Sequence, residues 1–218
     1  MHTLDLLHGK KELSVLCLGA HADDIEIGCG GTILRLQSEC ANLKVHWIVL
    51  SHSSSPQRES EARRSADAFL AGTKNSEVII KNFRDGFFPY IGAQIKDFFE
   101  EMKGHVRPDV VLTHFRRDLH QDHRLVSELT WNTFRDHLVL EYEIPKYDGD
   151  MGSPNFFVSL SEAACRRKVD YLLENFASQN AKHWFTKDVF ESLLRLRGLE
   201  SNSPTRYAEA FYAHKIIA

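Results

Sequence analysis

Residues 18–31 read LGAHADDIEIGCGG, and within them His21 and Asp24 stand three apart with Asp23 between. From one tight turn, that spacing lets an imidazole nitrogen and a carboxylate oxygen point at a single ion, and both are good zinc donors. Residues 116–126, RRDLHQDHRLV, repeat the pattern: His120 and His123 are three apart and Asp122 lies between them. Catalytic zinc takes three protein ligands and keeps one position open. His21, Asp24 and one of His120 or His123 supply that count. Zinc lowers the pKa of water to roughly 7. Asp23 would then take a proton from the attacking water. The histidine left over, protonated, would stabilise an oxyanion or protonate a leaving amine. Asp122 would orient that histidine and favour its charged form. Together these parts describe metal-assisted hydrolysis of an amide or ester.

Three other readings compete for the first motif. The stretch GCGGT is similar to part of a dinucleotide fingerprint, but its glycines come nine or more residues after Gly19 rather than directly after a strand. Two aspartates would also repel the phosphate that such a cradle binds through backbone N–H groups. A SAM- or nucleotide-binding Rossmann domain would suit the opening VLCLGA, yet His-Ala-Asp-Asp is an odd continuation for it. The plainest reading has Asp23 and Asp24 capping the next helix. The second cluster decides for a metal, because two His/Asp groups that each follow a strand meet over one crevice.

The elements that must position these groups can be read from periodicity. A short apolar run at 13–19 reads as a buried strand, and 44–53, 76–83 and 108–115 read as further strands. Helical patterns follow at 30–41, 56–72, 93–105 and 122–137. Beyond a strand-like 138–144 comes a loop at 145–155, then a strand at 156–160, helices at 161–179 and 186–200, and a terminal strand within 206–216. Alternating strands and helices imply an α/β, Rossmann-like, mostly parallel sheet flanked by helices on both faces. In such a sheet function collects at the carboxyl ends of the strands, where both motifs fall. No repeat or clean linker divides the chain, so residues 1–218 are expected to form one domain.

Composition narrows the class. The chain has 218 residues, 43% of them hydrophobic, and a formal net charge of −3, with no basic block interleaved with aromatics to engage nucleic acid. Its 4 cysteines (Cys17, Cys29, Cys40 and Cys165) form no CxxC pair, which fits a reducing compartment better than a disulfide framework. The first residues lack the apolar core of a leader, and no run approaches a membrane span of roughly 20 residues. A cytoplasmic protein is expected.

The segments AHADD, EIGCGGT and HQDH together resemble the PIG-L/LmbE-like zinc-dependent deacetylases, which act on N-acetylglucosamine conjugates. The likeness runs over residues 13–135 and, more weakly, to YAEAF near the C-terminus. It implies zinc held by His21, Asp24 and His123, Asp23 as general base, and His120 as the histidine assisting the oxyanion and leaving group, positioned by Asp122. It also implies that Arg58 binds substrate and that Asp85 contacts sugar hydroxyls. The implied substrate is a small N-acetylated amino sugar or its conjugate, and family members often self-assemble. Ala22 replaces the family's usual proline. Asp118 stands where some members carry an assisting tyrosine, for which Tyr90, Tyr142 and Tyr147 are the candidates here. The membrane anchor of the phosphatidylinositol branch is not found, which argues against that substrate. Trp184 and Lys182, and the arginines Arg195, Arg197 and Arg206, have weaker claims on a substrate than on packing or a solvated face. His46 and Cys29 are expected to be structural. His52 has a minor claim on the site, and His105, His114 and His137 are given no role.

Overall fold

A strand whose residues are apolar on both sides must be covered on both faces. In the computed structural model, which describes residues 12–216, such a run forms β1 (Glu12–His21). It is followed in turn by α1 (Asp24–Glu39), β2 (Asn42–Ser51), α2 (Pro56–Leu70), β3 (Asn75–Ile80), α3 (Gly92–His105), β4 (Val110–His114), α4 (Gln121–Thr133) and β5 (Leu138–Tyr142). These strands pair in parallel. The chain then adds β6 (Phe156–Leu160), α5 (Glu162–Asn175), α6 (Lys187–Glu200) and β7 (Tyr207–Ala213). The seven-stranded sheet has the order β3-β2-β1-β4-β5-β7-β6, with β7 antiparallel to both of its neighbours. The expectation concerning a leader falls largely on residues outside those described.

Successive β1 side chains divide the core in two. Leu13, Val15 and Cys17 join Ile33 of α1, Phe69 of α2, Val169 of α5 and Leu194 of α6. Leu16, Leu18 and Ala20 join Ile95 and Phe99 of α3 and Val126 of α4. Helices therefore cover both faces, as expected. All four cysteines are free and buried. Among the described residues no helix is long and apolar enough to cross a membrane.

One boundary differs from expectation. The helix read over 30–41 starts at Asp24, so Gly28 lies inside α1 together with Gly30 and Gly31. Packing is the reason. A Cβ on Gly28 would come within 2.1 Å of the Tyr142 ring, and one on Gly31 within 2.9 Å of the Glu209 carboxylate. Glu209, in the middle of YAEAF, accepts hydrogen bonds from the backbone N–H groups of Gly31 (2.8 Å) and Thr32 (2.6 Å). Lys168 of α5 pairs with the same carboxylate at 2.6 Å and donates to the Ile27 carbonyl. The glycines bring α1 close enough for β5 and β7 to grip it, and α1 carries the first motif at its N-terminus.

Tyr142 cannot swing aside, because its hydroxyl is held by the Leu18 carbonyl at 2.6 Å. Gly28→Ala should therefore lose stability by about 1–3 kcal/mol, the usual cost of overpacking, despite the gain of about 1 kcal/mol in helix propensity. Urea unfolding of the two proteins measures the difference.

Candidate metal centre and catalytic site

The first motif is folded onto itself. β1 ends at His21, and the His21 backbone N–H donates to Asp24 Oδ2 at 2.6 Å. This fixes the Asp24 carboxylate beside the His21 ring, with Oδ2 lying 3.4 Å from Nδ1. The turn passes through Asp23, whose φ of 101° lies in the left-handed region that an L side chain avoids. The second motif opens α4. His120 caps it by accepting from the Asp122 N–H, and His123 follows within the first turn. β1 and β4 are neighbours in the sheet, so both motifs leave adjacent carboxyl ends.

At their junction His21 Nδ1 lies 3.2 Å from His123 Nε2, and His123 Nε2 lies 3.6 Å from Asp24 Oδ2. The far edge of each ring determines what these atoms offer. His123 Nδ1 is bound to the Asp118 carboxylate at 2.9 Å, so its proton belongs there and Nε2 keeps a lone pair. His21 Nε2 faces carboxylates of Asp122 and Asp85, each at 3.1 Å, so Nδ1 is the nitrogen left for a metal. Three ligand atoms thus converge on one point. Their separations of 3.2, 3.4 and 3.6 Å match the edge of about 3.3 Å expected of a tetrahedron with zinc–ligand bonds of about 2.0–2.1 Å. The donor set fits a zinc ion.

Charge acts differently on the three donors. Burial opposes the imidazolium form of His21, but its bonds to Asp122, Asp24 and Asp85 outweigh burial and raise its pKa well above the usual histidine value, so Nδ1 carries a proton that a metal must displace. Burial also opposes ionisation of Asp24, yet His123 and His114 hold its carboxyl well below the usual range. For His123, burial and the neighbouring His114 lower the pKa to about 4, leaving the neutral ring that a metal requires.

Asp23 stands beside this group and outside the triangle. Burial raises its pKa to about 6, against the opposing charge of Arg58. Arg58 Nη2 lies 3.0 Å from Asp23 Oδ2 and also donates to the Ala22 carbonyl. Its other nitrogen reaches Glu61, which is held in turn by the N–H (2.9 Å) and hydroxyl (2.6 Å) of Ser178. Arg58, expected on the substrate, is thus engaged with the protein, because a buried carboxylate needs a partner.

The expected contact between His120 and the Asp122 carboxylate is not among the bonds this carboxylate makes. The Asp122 carboxylate is wholly buried and accepts from the backbone N–H groups of Gly86 (2.7 Å) and Phe88 (3.1 Å) as well as facing His21. Its claim is on His21. Burial and the charge of His21 lower the pKa of His120, so the ring is not held cationic. His120 nevertheless stays in the cluster, its ring centroid 4.9 Å from that of His21 and 4.6 Å from that of His123. Asp85 joins the site through His21 and accepts from the Ser53 hydroxyl, and its carboxylate remains 42% exposed.

Sequence reasoning misses Asp118 as a functional residue. Its place five residues before His123 is legible, but its bond to that ring is not. Lys146, at 3.0 Å from Asp118, ties the 145–155 loop to the second motif. Of the candidate tyrosines, Tyr142 is buried, while Tyr90 and Tyr147 are exposed. Trp184 packs against the core, and Arg197 is buried on Glu143 at 2.8 Å.

Comparison with known proteins places these observations in a wider group. A family profile described as PIG-L, GlcNAc-PI de-N-acetylase, matches residues 16–134. No curated protein matches by sequence. Among solved structures, a conserved protein from Thermus thermophilus is 22% identical with a TM-score of 0.76, covering 94% of this chain and 96% of that one. The N,N′-diacetylchitobiose deacetylase from Pyrococcus horikoshii is 18% identical with a TM-score of 0.68, covering 92% and 83%. The 4-carboxy-2-hydroxymuconate hydratase from Pseudomonas putida is 17% identical with a TM-score of 0.68, covering 94% and 98%. At these identities the likeness is one of fold.

The backbone at Asp23 makes its own prediction. Replacing Asp23 by glycine or by alanine removes the same carboxylate, but only alanine must still adopt a positive φ against its own Cβ. The glycine variant should be more stable than the alanine variant by about 1–2 kcal/mol, read from paired urea unfolding curves.

Proposed function

Because the chain belongs to the PIG-L family, we propose that it is a zinc-dependent deacetylase that hydrolyses the N-acetyl group of an amino sugar or sugar conjugate of the N-acetylglucosamine type. The observation that carries this reading is the convergence of His21 Nδ1, His123 Nε2 and Asp24 Oδ2. A fold neighbour that is a diacetylchitobiose deacetylase supports an N-acetylated sugar as substrate. On this reading residues 1–218 act as one catalytic domain.

A zinc ion held by His21, Asp24 and His123 supplies the Lewis acidity that makes water nucleophilic near neutral pH. The chain's own groups do the rest. Asp23, with a pKa of about 6, accepts a proton from water as the water oxygen attacks the acetyl carbon, and Arg58 holds the carboxylate in place. His120 uses Nδ1 to accept from the Asp122 N–H, which leaves Nε2–H to donate to the developing oxyanion. The C–N bond breaks as the amine nitrogen takes up a proton, giving acetate and the free amino sugar. Asp118 and Asp122 fix the two ligand rings in the required tautomers. The exposed side of the Asp85 carboxylate is available to a sugar hydroxyl.

Acetate release from a panel of N-acetylglucosamine conjugates, with zinc content measured on the same samples, tests this. His123→Ala should lose both zinc and activity. Asp23→Asn should keep zinc and lose about 10²–10⁴-fold in turnover, the scale of general acid–base assistance. Full zinc occupancy and activity in His123→Ala would overturn the ligand assignment. A zinc-loaded wild-type protein that releases no acetate from any conjugate would overturn the reaction.

A further inference from the structure

His114 is the last residue of β4, has no solvent exposure and takes no part in the reaction described above. Its surroundings follow from a split in the sheet. The β1–β2 pairing runs on to His21↔Ser51, whereas the β1–β4 pairing stops at Cys17↔Leu112. From Leu18 onward the β4-facing edge of β1 has no strand partner, and the crevice opens there. Buried backbone groups cannot be left unpaired without cost, and two side chains take the strand's place. The Tyr142 hydroxyl donates to the Leu18 carbonyl at 2.6 Å. The Ala20 N–H donates to His114 Nε2 at 2.9 Å.

The same ring touches the candidate metal ligands. It stacks on His123 with centroids 3.9 Å apart and an interplanar angle of 20°. Its Nε2 lies 3.3 Å from Asp24 Oδ2. His114 lies with Asp24 and His123 in one group that could hold a metal, but its Nε2 already accepts from Ala20, so it is left out of the ligand set assigned above. Its Nδ1 has no partner among the described residues, and a buried group left unpaired costs about 1–3 kcal/mol. A phenylalanine would fill the space without that penalty, so the ring is there for what its Nε2 edge and its face provide.

We propose that His114 is a positioning residue for the metal centre. Its acceptor holds the Ala20–His21 step where the two strands part, while its face packs against His123. Ligands from two separating strands thereby keep a fixed spacing. This inference rests on the ligand assignment made above.

The test uses two variants of the whole chain. His114→Phe keeps a ring against His123 and removes the acceptor. His114→Gln offers an amide oxygen to the Ala20 N–H. Zinc affinity of the metal-free protein is measured by competition with a chromophoric chelator. The visible spectrum of the cobalt(II)-substituted protein reports ligand geometry. His114→Phe should bind zinc about 10–100-fold more weakly, the usual effect of losing a partner that supports a ligand, with an altered cobalt spectrum. His114→Gln should recover most of the affinity. If His114→Phe only lowers the unfolding temperature, with affinity and spectrum unchanged, His114 is core packing and the proposal fails. If His114→Phe does not fold, His114→Gln carries the test, and a folded glutamine variant that loses affinity tenfold or more overturns the acceptor role. A wild-type protein that binds no zinc overturns the ligand assignment itself, and is recognised without either variant.

Discussion

The site depends on where two protons sit. Each imidazole that faces the centre has a carboxylate behind it: Asp118 at His123 Nδ1, and Asp122 with Asp85 at His21 Nε2. A carboxylate accepts and cannot donate, so each ring keeps a proton on the outer side and offers its inner nitrogen to the centre. Asp24 adds a carboxylate, held by the His21 backbone N–H. Without a metal, His21 Nδ1 shares its proton with these neighbours, and a metal cation bound there would take that proton's place.

Holding these groups together in this way requires stiff supports, which come from distant parts of the chain. Asp122 is pinned by backbone N–H groups of the segment after β3, and Asp118 by Lys146 from the loop after β5. α1, which presents Asp24, is clamped by Glu209 of β7 and Lys168 of α5. The antiparallel end of the sheet therefore contributes to the centre without reaching it. Removing either member of such a buried pair would leave an uncompensated charge, which ties the stability of α1 to the integrity of the C-terminal elements.

Asp23 follows a different logic. It has a positive φ and a buried carboxyl that is less acidic than usual, and both features cost stability. Strain and desolvation of this kind collect where a side chain must stand in one place with a pKa near its working range. Arg58 limits the cost by pairing with the carboxylate, and Glu61 and Ser178 fix Arg58 in turn.

The local pattern determined much of this protein. Apolar runs specify the parallel strands, 3.6-residue periodicity specifies the helices between them, and the two His/Asp clusters fall at the carboxyl ends of β1 and β4. The strand read at 156–160 has the bounds observed. Residue type and spacing made His21, Asp24 and one histidine of the second motif candidates for a single ion, but left His120 and His123 undivided. Other features depended on contacts remote in sequence. Gly28 and Gly31 leave room in α1 for the Tyr142 ring and the Glu209 carboxylate, which lie where a Cβ would stand. Asp122 turned to His21 rather than to His120, because the backbone N–H groups of Gly86 and Phe88 orient its carboxylate. Arg58 turned inward because a buried Asp23 needed a counter-charge. The role of Asp118 and the place of His114 in the split between β1 and β4 had no signature in the chain. Residue spacing shows which side chains share a turn, but the direction of a hydrogen bond is set by whichever partner the fold brings to its other end.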